Sequence, residues 1–282
     1  MKLWIISLLA AVSLTAQQAV DPDEKIRGMW NEEFLAKRPQ GAGPRAKPAR
    51  KPPAPVKKDA GPAAKKASGP GGAPASEQAA DALVGVTLWT GDGENWARLS
   101  ADTPLRAGQK LRVSIESART GYLYVIDREQ YADESYGEPY LVFPTLRTHG
   151  GDNSVVAGRL IEIPAWEDHP RYLTMNKSRA DQTSEVLTVL VTSEPLSEVK
   201  LGRDQLKLAP EQVATWEKQW GAQVKRIEAK GDVGKRYTPA EREAGERKRL
   251  LTHDEPLPQT MYHCEAQPGQ PLLINVPMRL EK

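Results

Sequence analysis

The sequence predicts a mainly β fold, an antiparallel β-sandwich of the immunoglobulin or jelly-roll kind with a small two-helix insertion near residues 210–250. Short runs of alternating apolar residues recur from residue 82 to the end of the chain, separated by turn-forming residues. Residues 186–191 are almost continuously apolar, which is typical of a buried central strand. Within this region, only two segments near residues 210–250 have helical spacing. Many short strands with few helices indicate a sandwich.

The first residues are typical of a secretory signal peptide. Met1 and Lys2 precede an apolar run over residues 3–16, and Ala16 and Ala19 are small residues suited to cleavage. We therefore expect residues 1–19 to be a signal peptide and the protein to be exported, either periplasmic or extracellular. An uncleaved membrane anchor is the alternative. Once the signal is removed, we expect no transmembrane span and no nucleic-acid partner.

Residues 20–38 are predicted to form a short amphipathic helix. Asp21 and Pro22 suit a helix start, and Trp30 and Phe34 lie one turn apart. The pattern leaves two possibilities open: the helix docks on a partner, or it folds back on its own domain.

Residues 39–81 are predicted to be a disordered basic linker rich in Pro, Ala and Lys. Between residues 36 and 76 there are ten Lys and Arg side chains and one acid, Asp59. Such a composition buries too little apolar surface to offset the entropy of ordering. Its charge indicates contact with an anionic wall or membrane surface, and a plain soluble spacer is the alternative. Residues 82–282 then form the β-sandwich domain.

The strands follow from alternation along the chain. Residues 110–117 alternate cleanly, and a four-residue connection leads to the apolar run at 121–126, which predicts an antiparallel hairpin. Helices are predicted to begin at Pro210 and Pro239, the second one highly charged and exposed. The closing runs at 259–266 and 271–280 predict a terminal hairpin. Further strands are predicted over residues 84–89, 96–99, 140–143, 160–164, 172–173 and 186–191.

Residues 108–113 followed by Gly121-Tyr122-Leu123-Tyr124 resemble the bacterial family called domain of unknown function 4384. Residues 186–196 and 271–274 add to the resemblance, which spans roughly residues 83–280. Gln109 stands where the family more often has Asp. The resemblance implies an exported, single-domain, all-β envelope module, and it carries over no catalytic residue.

Motif searches give no catalytic residue, no metal site and no cofactor. The chain has no Gly-x-Ser-x-Gly elbow and no phosphate-binding loop, and its four histidines are dispersed. His263 and Cys264 cannot ligate one metal from a strand, because neighbouring side chains point to opposite faces. Cys264 is the only cysteine. We expect a buried thiol, with an intermolecular disulfide as the alternative.

The densest candidate for binding is the acidic, tyrosine-rich segment 127–140. We expect it to leave the sheet after a buried strand and to form a surface. Trp166, on a loop flanked by prolines, is a further candidate for exposure. The candidate binding residues are Asp127, Glu129, Tyr131, Tyr136, Tyr140 and Trp166.

These patterns predict a non-enzymatic binding or scaffolding module of the bacterial cell envelope. Its expected partner is an envelope protein, or an anionic surface contacted through the linker. Two alternatives stay open: a hydrolase that uses the carboxylates near 127–138, and a module that binds wall polymers or other carbohydrates.

Overall fold

The computed structural model describes residues 22–41, 82–267 and 269–281. The predicted signal peptide and residues 42–81 of the predicted linker lie outside the described residues, so those predictions stay predictions.

The described chain is mainly β, as predicted, with three α-helices. The helices are α1 (Pro22–Lys37), α2 (Pro210–Trp220) and α3 (Pro239–Gly245). The strands are β1 (Leu83–Asp92), β2 (Asn95–Leu99), β3 (Lys110–Ser117), β4 (Gly121–Tyr131), β5 (Tyr140–Phe143), β6 (Ser154–Val155), β7 (Ile161–Ile163), β8 (Leu173–Thr174), β9 (Gln182–Thr192), β10 (Leu206–Lys207), β11 (Val224–Glu228), β12 (Thr260–Cys264) and β13 (Leu272–Arg279).

The strands form two antiparallel sheets. Sheet one has the order β11-β12-β1-β3-β7, with β2 also paired to β1 and β8 to β3. Sheet two has the order β10-β5-β4-β9-β13, with β6 paired to β4. The predicted central strand is confirmed, because β9 lies between β4 and β13 over residues 184–191.

The main core lies between the sheets, as a sandwich requires. Every second residue of a strand points to one face, and the inward sets of both sheets share one apolar cluster. Sheet one contributes Val86 and Val113, for example, and sheet two contributes Val125 and Val189. The alternation that predicted the strands is thus the alternation that builds the core.

The outer face of each sheet is covered as well. Helix α1 packs Trp30 and Phe34 on Met261 of sheet one, so it docks on its own domain. Helix α2 packs Val213 and Trp216 on the outer face of sheet two.

Both predicted hairpins are wrong. Strand β3 belongs to sheet one and β4 to sheet two, so the connection between them crosses the sandwich. Strands β12 and β13 are divided between the sheets in the same way. A short connection favours a hairpin only when the two strands are neighbours. Here β3 is already paired to β1, β7 and β8, and β4 to β5, β6 and β9.

The helical region also differs from the prediction. Strand β11 separates the two helices and joins sheet one, so they are not a single insertion. Helix α3 has a buried side, not the predicted exposed position. It begins with a capping box between Thr238 and Glu241, and Glu241 and Ala244 are buried.

Cys264 is a free, buried thiol, as predicted, and burial raises its pKa to about 12. It faces the core, while His263 stacks on Trp30 on the opposite side of β12, with ring centroids 5.2 Å apart. None of the described helices is long and apolar enough to cross a membrane.

Three arginine–glutamate pairs lie on the outer face of sheet one. Two of them join the sheet to elements elsewhere in the chain, and the third joins two of its strands. Arg38, just after α1, donates to both carboxylate oxygens of Glu116 in β3 at 2.8 and 2.6 Å. Arg98 in β2 donates to Glu241 of α3 at 2.7 Å. The third pair, Arg112 in β3 with Glu162 in β7, lies on the same face. Both side chains of the Arg38–Glu116 pair are almost fully buried, at 0% and 1% exposed.

We predict that Glu116→Gln destabilises the fold by about 3–5 kcal/mol, because removing one partner leaves a buried guanidinium without its counter-charge. Urea unfolding measures this change. The matched control is Glu265→Gln, which breaks an exposed pair with Lys225. The control should change the unfolding free energy little, because water and salt screen an exposed pair. Equal losses in the two variants would contradict a special role for the buried pair.

Candidate functional site

The predicted binding residues fall into two places where the described chain brings polar side chains together. One is a group of carboxyls on the inner face of sheet two, which includes part of the predicted binding segment. The other is an aromatic cavity on the outer face of sheet one, which includes Trp166.

The group of carboxyls consists of Asp127 and Glu129 of β4 and Glu185 of β9. Asp127 and Glu129 share the face of β4 that carries Leu123 and Val125, which point into the core. Glu129 lies directly opposite Glu185 in the strand register. Three acids therefore meet on the inner face of the sheet. The prediction that residue 127 begins a surface loop is wrong, because β9 pairs with β4 as far as Tyr131.

This position changes the acidity of two of the carboxyls. Burial, with the charge of Glu129 adding to it, raises the pKa of Asp127 to about 6. Burial, with the charge of Asp127 adding to it, raises the pKa of Glu185 to about 8. Asp127 Oδ1 is buried and has no hydrogen-bond partner among the described residues. Near neutral pH the group thus retains protons that free carboxyls would have lost.

The three predicted tyrosines do not form one surface with these acids. Tyr131 is buried, and its hydroxyl donates to Glu129 at 2.7 Å. Tyr136 and Tyr140 are exposed. Arg128 lies 4.1 Å from the Tyr136 ring centroid and pairs with Glu217 of α2 at 2.6 Å, on the outer face of sheet two. The segment 127–140 is divided between the two faces of the sheet.

Two of the three acids in the group of carboxyls are hydrogen-bonded to neighbouring side chains. Within the described ranges no group of three or more His, Cys, Asp or Glu residues is placed to hold a metal ion. Glu129 accepts from Tyr131, and Glu185 accepts from Gln182 at 2.8 Å. These contacts tie two of the acids to neighbouring protein groups.

The aromatic cavity has a volume of about 260 Å³. It lies where the β1–β2 turn, β3, β7 and the end of α3 meet on the outer face of sheet one. It is lined by Trp96, Trp166, Tyr172, Arg112, Arg171, Arg242, Asp92, Gly93, Glu94, Glu162 and Glu246. The lining thus combines three aromatic rings with seven charged side chains.

The pair of Arg112 and Glu162 is part of the cavity lining. Arg112 lies over the Trp96 ring, 5.6 Å from its centroid, and Tyr237 donates its hydroxyl to Glu162. Burial raises the pKa of Glu162, and the charge of Arg112 opposes that rise. Gly245 allows α3 to approach, because a Cβ there would lie 2.5 Å from the Glu162 carboxyl carbon. This part of the lining is therefore rigid and already charge-paired.

Trp166 is placed by a turn that follows β7. The amide of Ala165 donates to Asp168 at 3.0 Å, and the amide of Asp168 donates back to Ala165 at 3.0 Å. Arg147 also pairs with Asp168 at 2.9 Å. Trp166 is half-buried rather than fully exposed, and Arg171 lies 5.9 Å from its ring centroid. The predicted Trp166 is thus one wall of a cavity.

Sequence reasoning missed the rest of the cavity. Trp96, Arg112 and Glu162 each occupy an outward position on their strands, which alternation alone could have shown. Their proximity depends on how β1, β2, β3 and β7 pair, and this pairing is not readable from periodicity.

No family model, no curated protein and no solved structure matches the chain. The resemblance to domain of unknown function 4384 stays a prediction, and the function has to be argued from the site.

The raised carboxyl pKa values predict that the protein loses stability as the pH rises. The folded chain holds protons up to pKa values of about 6 at Asp127 and 8 at Glu185, whereas the unfolded carboxyls release them near their ordinary values of 3.8 and 4.5. The folded state then binds more protons than the unfolded state. The stability that these protons contribute is fully present below about pH 4 and falls progressively as the pH rises to about 8.

Glu185→Gln should therefore flatten this dependence. At pH 8.5 the variant should have a higher melting temperature than the parent. The rise is roughly 2–4 °C for each kcal/mol of unfolding free energy that the substitution restores. The difference in melting temperature should shrink towards pH 4. Circular dichroism melts at pH 4.5, 6.5 and 8.5 measure it. Glu138→Gln is the control, since Glu138 forms an exposed pair with Lys207. An unchanged pH dependence in Glu185→Gln would contradict the assignment.

Proposed function

We propose that the chain is an exported, non-enzymatic binding module of the bacterial cell envelope, and that its aromatic cavity holds a carbohydrate. The observation that carries the proposal is the combination of Trp166 and Tyr172 with the Arg112–Glu162 pair around a cavity of about 260 Å³.

The aromatic rings suit the faces of sugar rings. A pyranose has an apolar face of C–H groups, which packs well on the electron-rich face of an indole or phenol ring. Trp166 and Tyr172 are both half-buried, so each leaves part of its ring accessible at the cavity. Such side chains supply contact area with little loss of conformational entropy.

The charged side chains suit sugar hydroxyls. Hydroxyl groups both donate and accept, so they match a lining that contains carboxylates and guanidinium groups together. Asp92, Glu94, Arg171 and Arg242 provide these groups around the opening. The volume lies below the roughly 300–1,000 Å³ of sites for drug-sized ligands. One or two sugar rings are the ligand size that we propose.

The envelope location rests on the sequence. The signal-like residues 1–19 and the basic linker 39–81 support export and a tether near anionic wall or membrane material. The resemblance to an envelope-associated family supports the same place. Cell fractionation of a tagged full-length chain tests it, and recovery in the cytosol alone would overturn it.

We predict that Trp166→Ala weakens glycan binding at least tenfold, because it removes the aromatic wall of the cavity. An array of neutral, amino and acidic oligosaccharides identifies a glycan, and calorimetry then compares the variants. Trp220→Ala is the matched control. Trp220 is also half-buried, but it stacks on Trp216 in α2, with ring centroids 5.8 Å apart, and lies outside the cavity.

The control should bind as the parent does. Melting curves of both variants show whether each one folds, and Trp166→Phe, which keeps a ring, should recover part of the affinity. Absence of glycan binding on the array, or equal losses in Trp166→Ala and Trp220→Ala, would overturn the proposed site.

A further inference from the structure

The ion pairs around the aromatic cavity leave one positive charge without a partner. Four acids line the cavity, and each has a cation. Asp92 pairs with Lys110 at 2.8 Å, Glu94 with Arg242 at 2.6 Å, Glu162 with Arg112, and Glu246 with Lys248 at 2.5 Å. The fifth cation, Arg171, forms no ion pair among the described residues and is exposed.

The hydrogen-bonding groups show the same imbalance. Trp166 Nε1 and Arg112 Nε are buried donors that have no acceptor among the described residues. The cavity acids, by contrast, already accept from cations or hydroxyls. Unused capacity at this site is therefore on the donor side, which favours a ligand rich in acceptors.

Resting on the carbohydrate-binding function proposed above, we infer that the cavity selects an acidic sugar, one that carries a single carboxylate on its ring. The carboxylate pairs with the guanidinium of Arg171, whose planar fork matches two carboxylate oxygens. The sugar ring packs beside Trp166.

A single charge fits better than a double one. The four cavity acids repel an anion, and their cations offset that repulsion. Two of these cations, Lys110 and Lys248, lie beside the lining rather than in it. With them included, the net surplus is the one charge of Arg171. A sugar phosphate near neutral pH carries up to two charges. The cavity should therefore favour a uronic acid over a sugar phosphate.

The test compares galacturonic acid, which carries one carboxylate, with its methyl ester, which keeps the ring and hydroxyls and removes the charge. We expect calorimetry on the full chain to give at least tenfold tighter binding of the acid. Raising sodium chloride from 50 to 500 mM should weaken binding of the acid and affect the ester little, because salt screens the exposed charge of Arg171. Glucose 6-phosphate at the same concentration should displace the acid poorly.

Arg171→Gln should lower the ratio of the two affinities towards one. Arg203→Gln is the matched control, since Arg203 is also exposed and forms no ion pair within the described part of the chain, and it lies outside the cavity lining. It should keep the preference of the parent. Melting curves confirm that both variants are folded.

The outcomes separate this inference from the proposed function. Equal binding of the acid and the ester, or binding of neutral sugars only on the array, would overturn the charge preference and leave carbohydrate binding in place. Efficient displacement by glucose 6-phosphate would overturn the preference for a single charge. If no sugar of any charge binds, both proposals fail.

Discussion

The outer face of sheet one depends on buried arginine–glutamate pairing. A β-strand face that carries Arg98, Arg112, Glu116 and Glu162 would ordinarily face water. Here it is covered by α1, α3 and the segments that follow β11, and each charge on it has an opposite partner. The pairs join parts of the chain far apart in sequence, such as residue 38 with 116 and residue 98 with 241. The covering segments can pack on this face only where these pairs form. Burying a charge without its partner costs far more free energy than burying an apolar side chain.

Sheet two handles charge differently. Its outer face under α2 carries an apolar cluster and one arginine–glutamate pair, Arg128 with Glu217, whereas Asp127, Glu129 and Glu185 lie on the inner face with no arginine opposite them in the strand register. Like charges that share a buried position are relieved by protonation, whereas the opposite charges on sheet one are relieved by pairing. The acids on the inner face of sheet two therefore make its stability sensitive to pH. The sensitive group also sits at one end of the core strands, so its protonation is coupled to the stability of the whole sandwich.

Much of the fold was predictable from alternation, and its topology was not. The periodicity of residues 110–117 and 186–191 identifies β3 and β9 and their inward faces, and the structure confirms both. Periodicity does not say which strand lies next to which, so a four-residue connection that crosses the sandwich was taken for a hairpin. The prediction that the charged helix α3 is exposed was wrong for a related reason. Its sequence shows that Glu241 is charged, but it does not show that Glu241 pairs with Arg98 of β2, which is distant in sequence. Tertiary pairing decided both cases.

Only one residue of the candidate site, Trp166, was predicted from the sequence, since a tryptophan on a proline-flanked loop is a recognisable candidate for binding. Its neighbours come from the β1–β2 turn, β3, β7 and α3, and only the fold brings them together. They differ in what else they do. Arg112 and Glu162 belong to the pairing that holds the outer face of sheet one, so they cannot change without cost to the fold. Trp166 and Arg171 lie on the loop after β7, outside any buried ion pair in the described chain. The proposed recognition can therefore vary at these two loop positions while the paired lining beneath them stays fixed, which is the usual division between a rigid scaffold and the loop that it carries.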